Sequence, residues 1–433
     1  MIILAGRIRL TAAGRALHHR NYRLFFIGQL ISVTGTNMQT LAQAWLVGTL
    51  VGWNQAVVYI GLLGIVQTLP VMVLSLFGGI IADIWPNRRT LIATQAAAGA
   101  LALVLGGLSW FGVVAVWHVF LLGFLLGVVN AIDMPTRQAF VMEMVGPEDV
   151  ANGVALNSAL MNGARIIGPA IAGIVIGIFG TALCFILNGL SFAAVIVGLL
   201  VMRETELLRQ PRLARPSTVG EVGSNLAEGL HYAWGTPLVR LVLVTIGIVN
   251  IFGLNFFNIV LPVLAASTLK VGASGLGFLS ASLGLGALAS ALAVAAMERP
   301  RLKVLVAGCL LVAIAELVLA ATTSFPVALI AVFVTGVGLI ASSASGNSLI
   351  QLTVPGPLRG RVMSMWTTVV VGSSPLGNAL TGAVGGLLGI SAALIMAGAT
   401  VLAANGAAVA AVMRGYLHAE AGSPQLPKEE VAN

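Results

Sequence analysis

Apolar stretches long enough to cross a lipid bilayer recur along the whole chain, parted only by short polar, Gly or Pro breaks. A helix advances about 1.5 Å per residue, so about 20 apolar residues span a hydrocarbon layer ~30 Å thick. Twelve runs meet that length, at 22–48, 56–82, 90–111, 114–145, 151–178, 181–202, 238–266, 273–297, 303–322, 326–352, 359–386 and 390–414. Within each run the hydrophobicity is continuous rather than alternating, which excludes the strands of a membrane barrel. The pattern predicts an all-α integral membrane protein with twelve transmembrane helices.

Composition agrees: 58% of positions are hydrophobic and 8% charged, a balance that a soluble domain with a polar shell does not reach. A net charge of +8 raises nucleic acid as a partner, but the placement of the basic residues argues against it. Nineteen of the 22 fall on one side of the twelve-helix pattern. They are Arg7, Arg9, Arg15, Arg20 and Arg23, Arg88 and Arg89, Arg203, Arg209, Arg212, Arg215 and Arg240, Arg299, Arg301 and Lys303, Arg359 and Arg361, and Arg414 and Lys428. Lys270 alone falls on the other side, and Arg137 and Arg165 lie within runs. Positive loops stay in the cytoplasm, so both termini are predicted inside. Arg outnumbers Lys nineteen to three amid heavy Ala, Gly and Val usage, a bias of GC-rich prokaryotes, and a bacterial inner membrane is expected. Cys184 and Cys309 fall near opposite faces, too far apart for a disulfide, and are expected as buried free thiols.

The longest polar connection divides the chain into an arm at 1–21, a six-helix bundle at 22–202, a cytoplasmic loop at 203–237, a second bundle at 238–416 and a tail at 417–433. The arm lacks the apolar core and cleavage site of a signal peptide. In the loop, Val219, Val222, Leu226, Leu230 and Trp234 recur at near-helical spacing after Ser217, predicting an amphipathic helix at the inner surface. The halves look duplicated. Gly163, Gly168, Gly173 and Gly180 fall on Gly372, Gly377, Gly382 and Gly389 at a constant offset of 209 residues, which also sets Gly127 on Gly336. Parallel six-helix repeats point to a transporter that rocks about a central site.

Five stretches in order, "RNYRLFFIGQLIS", "GGIIADIWPNRR", "DMPTRQAF", "LNSALMNGARIIGPAIAG" and "EGLHYAWGTPLVR", resemble the major facilitator superfamily. Within it they are similar to the transmembrane secretion effectors, the branch of drug and siderophore exporters that includes the enterobactin exporter. The resemblance covers about residues 20 to 415 and implies the major facilitator fold. It also implies a cytoplasmic gate at Gly79, Asp83, Arg88 and Arg89, in which Asp83 sits against the start of helix 11 near Arg359 and Arg361 in the outward-facing state. Ile84 and Pro86 depart from the usual basic residue and glycine of that loop. Gly168, Pro169 and Gly173 resemble the exporter motif of helix 5; close packing alone accounts for the same residues.

Charges buried in a bilayer are expensive, about 2.5 to 3.5 kcal/mol each on insertion scales, so those within runs should be paired or face water. Depth counting puts Asp133 and Arg165 at similar height on antiparallel neighbours, while Asp133 and Arg137 share a helix face four residues apart. The expectation is an Asp133–Arg165 pair. It serves either as a static bridge or as a proton site that couples the gradient to conformational change, with substrate electrostatics as a third role for Arg165. Many relatives carry an acid where this chain has Thr36, which concentrates coupling on Asp133. Glu316 in helix 9 is the other deep acid, structural or coupling.

A cavity is expected between helices 1, 4, 7 and 10, with Gln29, Asn37, Gln43, Asn130, Asn250, Asn255, Asn258, Asn347, Gln351, Phe256, Phe257 and Trp366 as lining candidates. Amides with aromatics in an apolar chamber suit amphiphilic organic molecules better than small ions. No Lys precedes Ser or Thr in a phosphate-binding loop, and the histidines at 18, 19, 118, 231 and 418 have no metal spacing, so neither enzyme chemistry, metal nor cofactor is expected. The combined reading is a monomeric, proton-coupled exporter of drugs or siderophore-like metabolites. Uptake or lipid flipping by the same fold is the alternative, with a non-transporting membrane sensor the remaining one.

Overall fold

The computed structural model describes residues 14–208, 230–253, 259–297 and 301–421, with the backbone alone at 75–84, 151, 162, 166, 356, 357, 371, 408, 409 and 411–421. Every element among them is helical. The helices are α1 (Arg20–Val51), α2 (Trp53–Ile84) and α3 (Asn87–Trp110). Then come α4 (116–145) and α5 (147–179), a single stretch Val116–Phe179 broken at Gly146, where φ is 72°. They are followed by α6 (Thr181–Val201), α7 (Pro237–Phe252), α8 (Gly272–Ala295), α9 (Leu302–Ala321), α10 (Phe325–Thr353), α11 (Gly356–Leu388) and α12 (Ile390–Ala421). Among the described residues, nine helices are long and apolar enough to cross a membrane. Of the others, α1 and α11 have the length, with 32 and 33 residues.

Of the seventh predicted run the structure describes two helical parts, on either side of 254–258. α7 stops at Phe252, and the chain resumes at Val260–Val263 and a π turn at Leu264–Thr268. Pro262 lacks a ladder donor, and the wider turn follows it directly. Asn255, Phe256, Phe257 and Asn258 lie outside the described residues, as does most of the predicted amphipathic helix, of which only 230–235 is described and helical.

The repeat is visible in backbone geometry. Gly180 and Gly389, partners at the 209-residue offset, each end one helix and lead into the next, with φ of 81° and 87°. Glycine enters that left-handed region at little cost, so the same tight reversal is built twice.

Packing then divides the molecule by height. Where α1 meets α2, α5 meets α6 and α11 meets α12, one apolar cluster joins both halves, including Leu46, Ile60, Ile176 and Phe185 with Leu261, Leu279, Leu319 and Leu394. At the opposite end the core is in two pieces. Tyr22, Phe25, Leu91, Phe140 and Leu199 pack within the first half. Val239, Ile246, Leu305, Ile350 and Trp366 pack within the second. Helix-to-helix crossings between the halves follow the same rule. A Cβ at Gly173 of α5 would collide with the Cα of Gly277 on α8, and one at Gly61 of α2 would lie 2.8 Å from the Asn378 carbonyl on α11. In a bilayer, where burial supplies little drive, such small-residue contacts are what let helices associate closely. Among the described residues the bundle is thus closed at one end and split at the other, and the split end carries Arg15, Arg20, Arg88, Arg203, Arg301, Arg359 and Arg361.

The N-terminal arm is tied to this split end. A turn at Arg15–His18 packs against the connection between α4 and α5, where the Ala16 amide donates to Asn152 Oδ1 at 2.9 Å and Tyr22 Oη donates to the Gly153 carbonyl at 2.7 Å. Asp149, in that connection, takes His19 Nε2 at 2.9 Å and Arg15 Nε at 3.2 Å. The His19 hydrogen bond, helped by the Arg15 charge, holds the Asp149 carboxyl below its usual value. A carboxylate with a depressed pKa in the folded state stabilises above its unfolded value and loses that contribution as pH falls through the folded one. The clamp is therefore expected to persist through neutral pH and to release only below the ordinary aspartate range. Hydrogen exchange at 15–22 should accelerate there in wild type, and already at neutral pH in Asp149→Ala.

Candidate functional site

The stretch "NAIDMPTRQAF" occupies the middle of α4 with Pro135 inside the helix. Asp133 is 1% exposed. Its Oδ1 accepts from Thr94 Oγ1 at 2.7 Å and Gln95 Nε2 at 2.8 Å, both on α3, and its Oδ2 pairs with Arg137 one turn along α4. The expected bridge to Arg165 is not formed. Depth counting set the height of the two residues but not their azimuth: Asp133 faces α3, and Arg137, at i+4, is on the same face. Thr94 and Gln95 escaped the sequence reading, although a Thr-Gln pair inside the apolar "LIATQAAAGA" was the available signal.

Arg165 on α5 is exposed and makes no hydrogen bond or ion pair among the described residues. Glu316, on α9, is fully buried with neither carboxylate oxygen hydrogen-bonded. It lies in line with buried Val312, Ala313 and Leu319, and α9 packs on α10 and α12, which present no charged side chain along their apolar lengths.

Between α1, α2 and α4 lies a polar cavity of about 90 Å³ lined by Thr36, Gln39, Thr40, Gln43, Gln67 and Asn130. Gln67 Nε2 donates to Gln43 Oε1 at 2.9 Å, and Gln39 Oε1 accepts from Asn188 Nδ2 of α6 at 2.7 Å. Gln43 and Asn130 thus line one cavity, together with Thr36, Thr40 and Gln67. Asn37 is half-buried, its amide donating to the Val33 carbonyl of its own helix at 2.8 Å. Asn347 and Gln351 bond one another on the split-end part of α10.

Three lining candidates are buried in helix contacts instead. Gln29 is 1% exposed, with both amide atoms unpaired. Asn250 turns back to the Ile246 carbonyl at 2.8 Å. Trp366 closes over Gly346 of α10 inside the second-half core, because the missing side chain there leaves room for the indole.

Of the gate residues, Gly79 and Asp83 lie in α2 among those described by backbone only. Arg88 donates to the Leu199 carbonyl at 2.7 Å and pairs with Glu204, fastening α3 to the end of α6; Arg89 and Arg359 are exposed and Arg361 is half-buried. In helix 5, Gly168 packs on α1, where a Cβ would lie 2.6 Å from the Thr34 carbonyl, Pro169 is buried, and Gly173 makes the α8 crossing.

An all-helical chain in two repeated halves, joined at one end and parted at the other over a polar interior, defines a secondary transporter of the major facilitator type. The chain belongs to the transmembrane secretion effector family of that superfamily, matching it over residues 12–432. It is similar to the multidrug efflux pump Tap of Mycolicibacterium fortuitum, 26% identical over 86% of this chain and 91% of that one. It is also similar to the enterobactin exporter EntS of Shigella boydii serotype 4, 24% identical over 86% of each. The fold is shared with a bacterial homologue of the lysosomal transporter Spinster solved in an inward-facing, occupied conformation, with a TM-score of 0.69, 12% identity and coverage of 91% of this chain and 97% of that one. The protein is a multi-pass component of a bacterial inner membrane.

Proposed function

We propose that this protein exports amphiphilic organic compounds, drugs or siderophore-like metabolites, by proton antiport and alternating access, acting as a monomer with twelve spans. The observation that carries the reading is the core, continuous across both halves at one end and divided at the other. A rigid pair of lobes that touch through bare glycines can rock about that contact, as repeat-built transporters do. The names of the full-length relatives support export. With the arginine-rich end and both termini in the cytoplasm, the present state is open inward, and the gate around Asp83, Arg359 and Arg361 closes in the opposite state.

Asp133 is the coupling acid in this proposal. Ionised, it holds Arg137 and binds α4 to α3; protonated, it loses its hold on the guanidinium, which is freed to turn toward the cleft. The test is gradient-driven flux of a lipophilic dye in proteoliposomes, wild type beside Asp133→Asn. Wild type should concentrate the dye against its gradient and Asp133→Asn should only equilibrate it; active accumulation by the variant would remove Asp133 from coupling. Glu316 supports a second assignment of the proton, since its carboxyl is fully buried with no hydrogen-bond partner among the described residues. Loss of accumulation in Glu316→Gln, with Asp133→Asn active, would select it.

A further inference from the structure

We infer that the substrates of this exporter carry a negative charge and that Arg165 is the residue that binds it; the inference rests on the transporter reading above and names its substrate class. The face that Arg165 occupies is set by three others on α5. Ile167, Ile171, Ile174 and Ile178 form an exposed apolar stripe, the face for lipid. Gly168 meets α1 and Gly173 meets α8. At 3.6 residues per turn Arg165 lies about 180° from Ile174, on the arc between the α1 and α8 contacts that faces the molecular centre.

Exposure along that arc follows the opening of the bundle. Val154, Ser158 and Arg165 are exposed, and Pro169, Ala172 and Ile176, farther along the same face, are buried where the halves close. Arg165 therefore stands in the cleft at the last exposed position before closure.

Among the described residues no acid is paired with it. Both oxygens of Asp133 are taken by Thr94, Gln95 and Arg137. Glu316 is enclosed in the other half, and Asp149, Glu204 and Glu206 are paired at the split end. Among the described residues the cleft at this depth holds one positive charge in excess. A guanidinium that faces an open cleft without an ion pair is free to take an anion, and its planar fork suits a carboxylate or another bidentate oxyanion.

The experiment uses a naphthyl alkanoate, its amide and its amine, of equal chain length. Binding is read by tryptophan quenching in detergent and flux separately in proteoliposomes. The acid should bind at least roughly tenfold more tightly than the amide, the worth of one charge-assisted contact, and the amine least. Arg165→Gln should remove that preference by weakening acid binding far more than amide binding, and Arg165→Lys should retain part of it. Equal affinity for acid and amide, a preference for the amine, or an equal loss of both ligands in Arg165→Gln would overturn the assignment. Acid binding without gradient-driven flux would instead sink the exporter reading and leave the anion site standing. Flux of the amide in preference to the acid would do the reverse.

Discussion

Gly173→Val should stop transport while leaving a folded protein in the membrane. The Cβ alone collides with the Cα of Gly277, so α5 and α8 have to separate, and the cluster that joins the halves through Ile176, Leu276 and Leu279 opens with them. Overpacking of this kind costs about 1 to 3 kcal/mol. Here the cost falls on one conformation, the one closed at this end, because the packing within each half is untouched. Two states a few kcal/mol apart then shift in population by roughly ten- to hundredfold, and flux should fall by a similar factor. Gly163→Ala, on the same helix with nothing within 4 Å of the added carbon, is the matched control and should transport normally. Ser274→Cys, facing Gly177 across the crossing, reports the closure directly, since Cys184 and Cys309 are buried. Its thiol should label faster from the closed end in Gly173→Val than in Gly173. Unchanged flux and unchanged labelling would mean that the glycine crossing is not the pivot.

Asp133→Ala is expected to damage the fold itself. It leaves the Arg137 guanidinium, 17% exposed, without its carboxylate, and Thr94 and Gln95 without their acceptor. Removing one member of a buried pair costs about 3 to 5 kcal/mol, most of it from the stranded charge. The yield of monodisperse protein and the apparent melting temperature should both fall. Asp133→Ala with Arg137→Met should recover much of the loss, because no charge is stranded, whereas Asp133→Asn keeps an acceptor for α3 and should fold. A double variant as unstable as the single one would show that the α3 hydrogen bonds, not the ion pair, hold α4 in place. Comparison with the flux test separates the two roles of Asp133: a residue that only fastens helices gives an Asn variant that still accumulates substrate.

The helices and their order were legible because a bilayer asks for long unbroken apolar runs, and the chain supplies them. The duplicated halves were legible too, from glycines at a fixed offset: Gly127 and Gly336 each lie too close to a neighbouring backbone for a side chain, and Gly180 and Gly389 make the same reversal twice. The end of the seventh run was not legible in this way, because hydrophobicity reports burial and not the width of a turn, and the π turn at Leu264–Thr268 appears only in the structure. Lining residues were read less well for a related reason. Gln29, Asn250 and Trp366 have the chemistry of a cavity wall, but sequence does not say whether a polar or aromatic side chain turns into a chamber or into a neighbouring helix.

The sequence by itself determined that this is a membrane protein of two repeated helical halves, and that its deep charges are Asp133, Arg137, Arg165 and Glu316. Only the tertiary structure decided how those charges are used. Height along a helix follows from counting residues, whereas partnership depends on which way each helix is turned about its axis, and that is set by packing between segments distant in the chain. Turned toward α3, Asp133 is satisfied by Thr94, Gln95 and Arg137; turned toward the cleft, Arg165 meets no acid among the described residues.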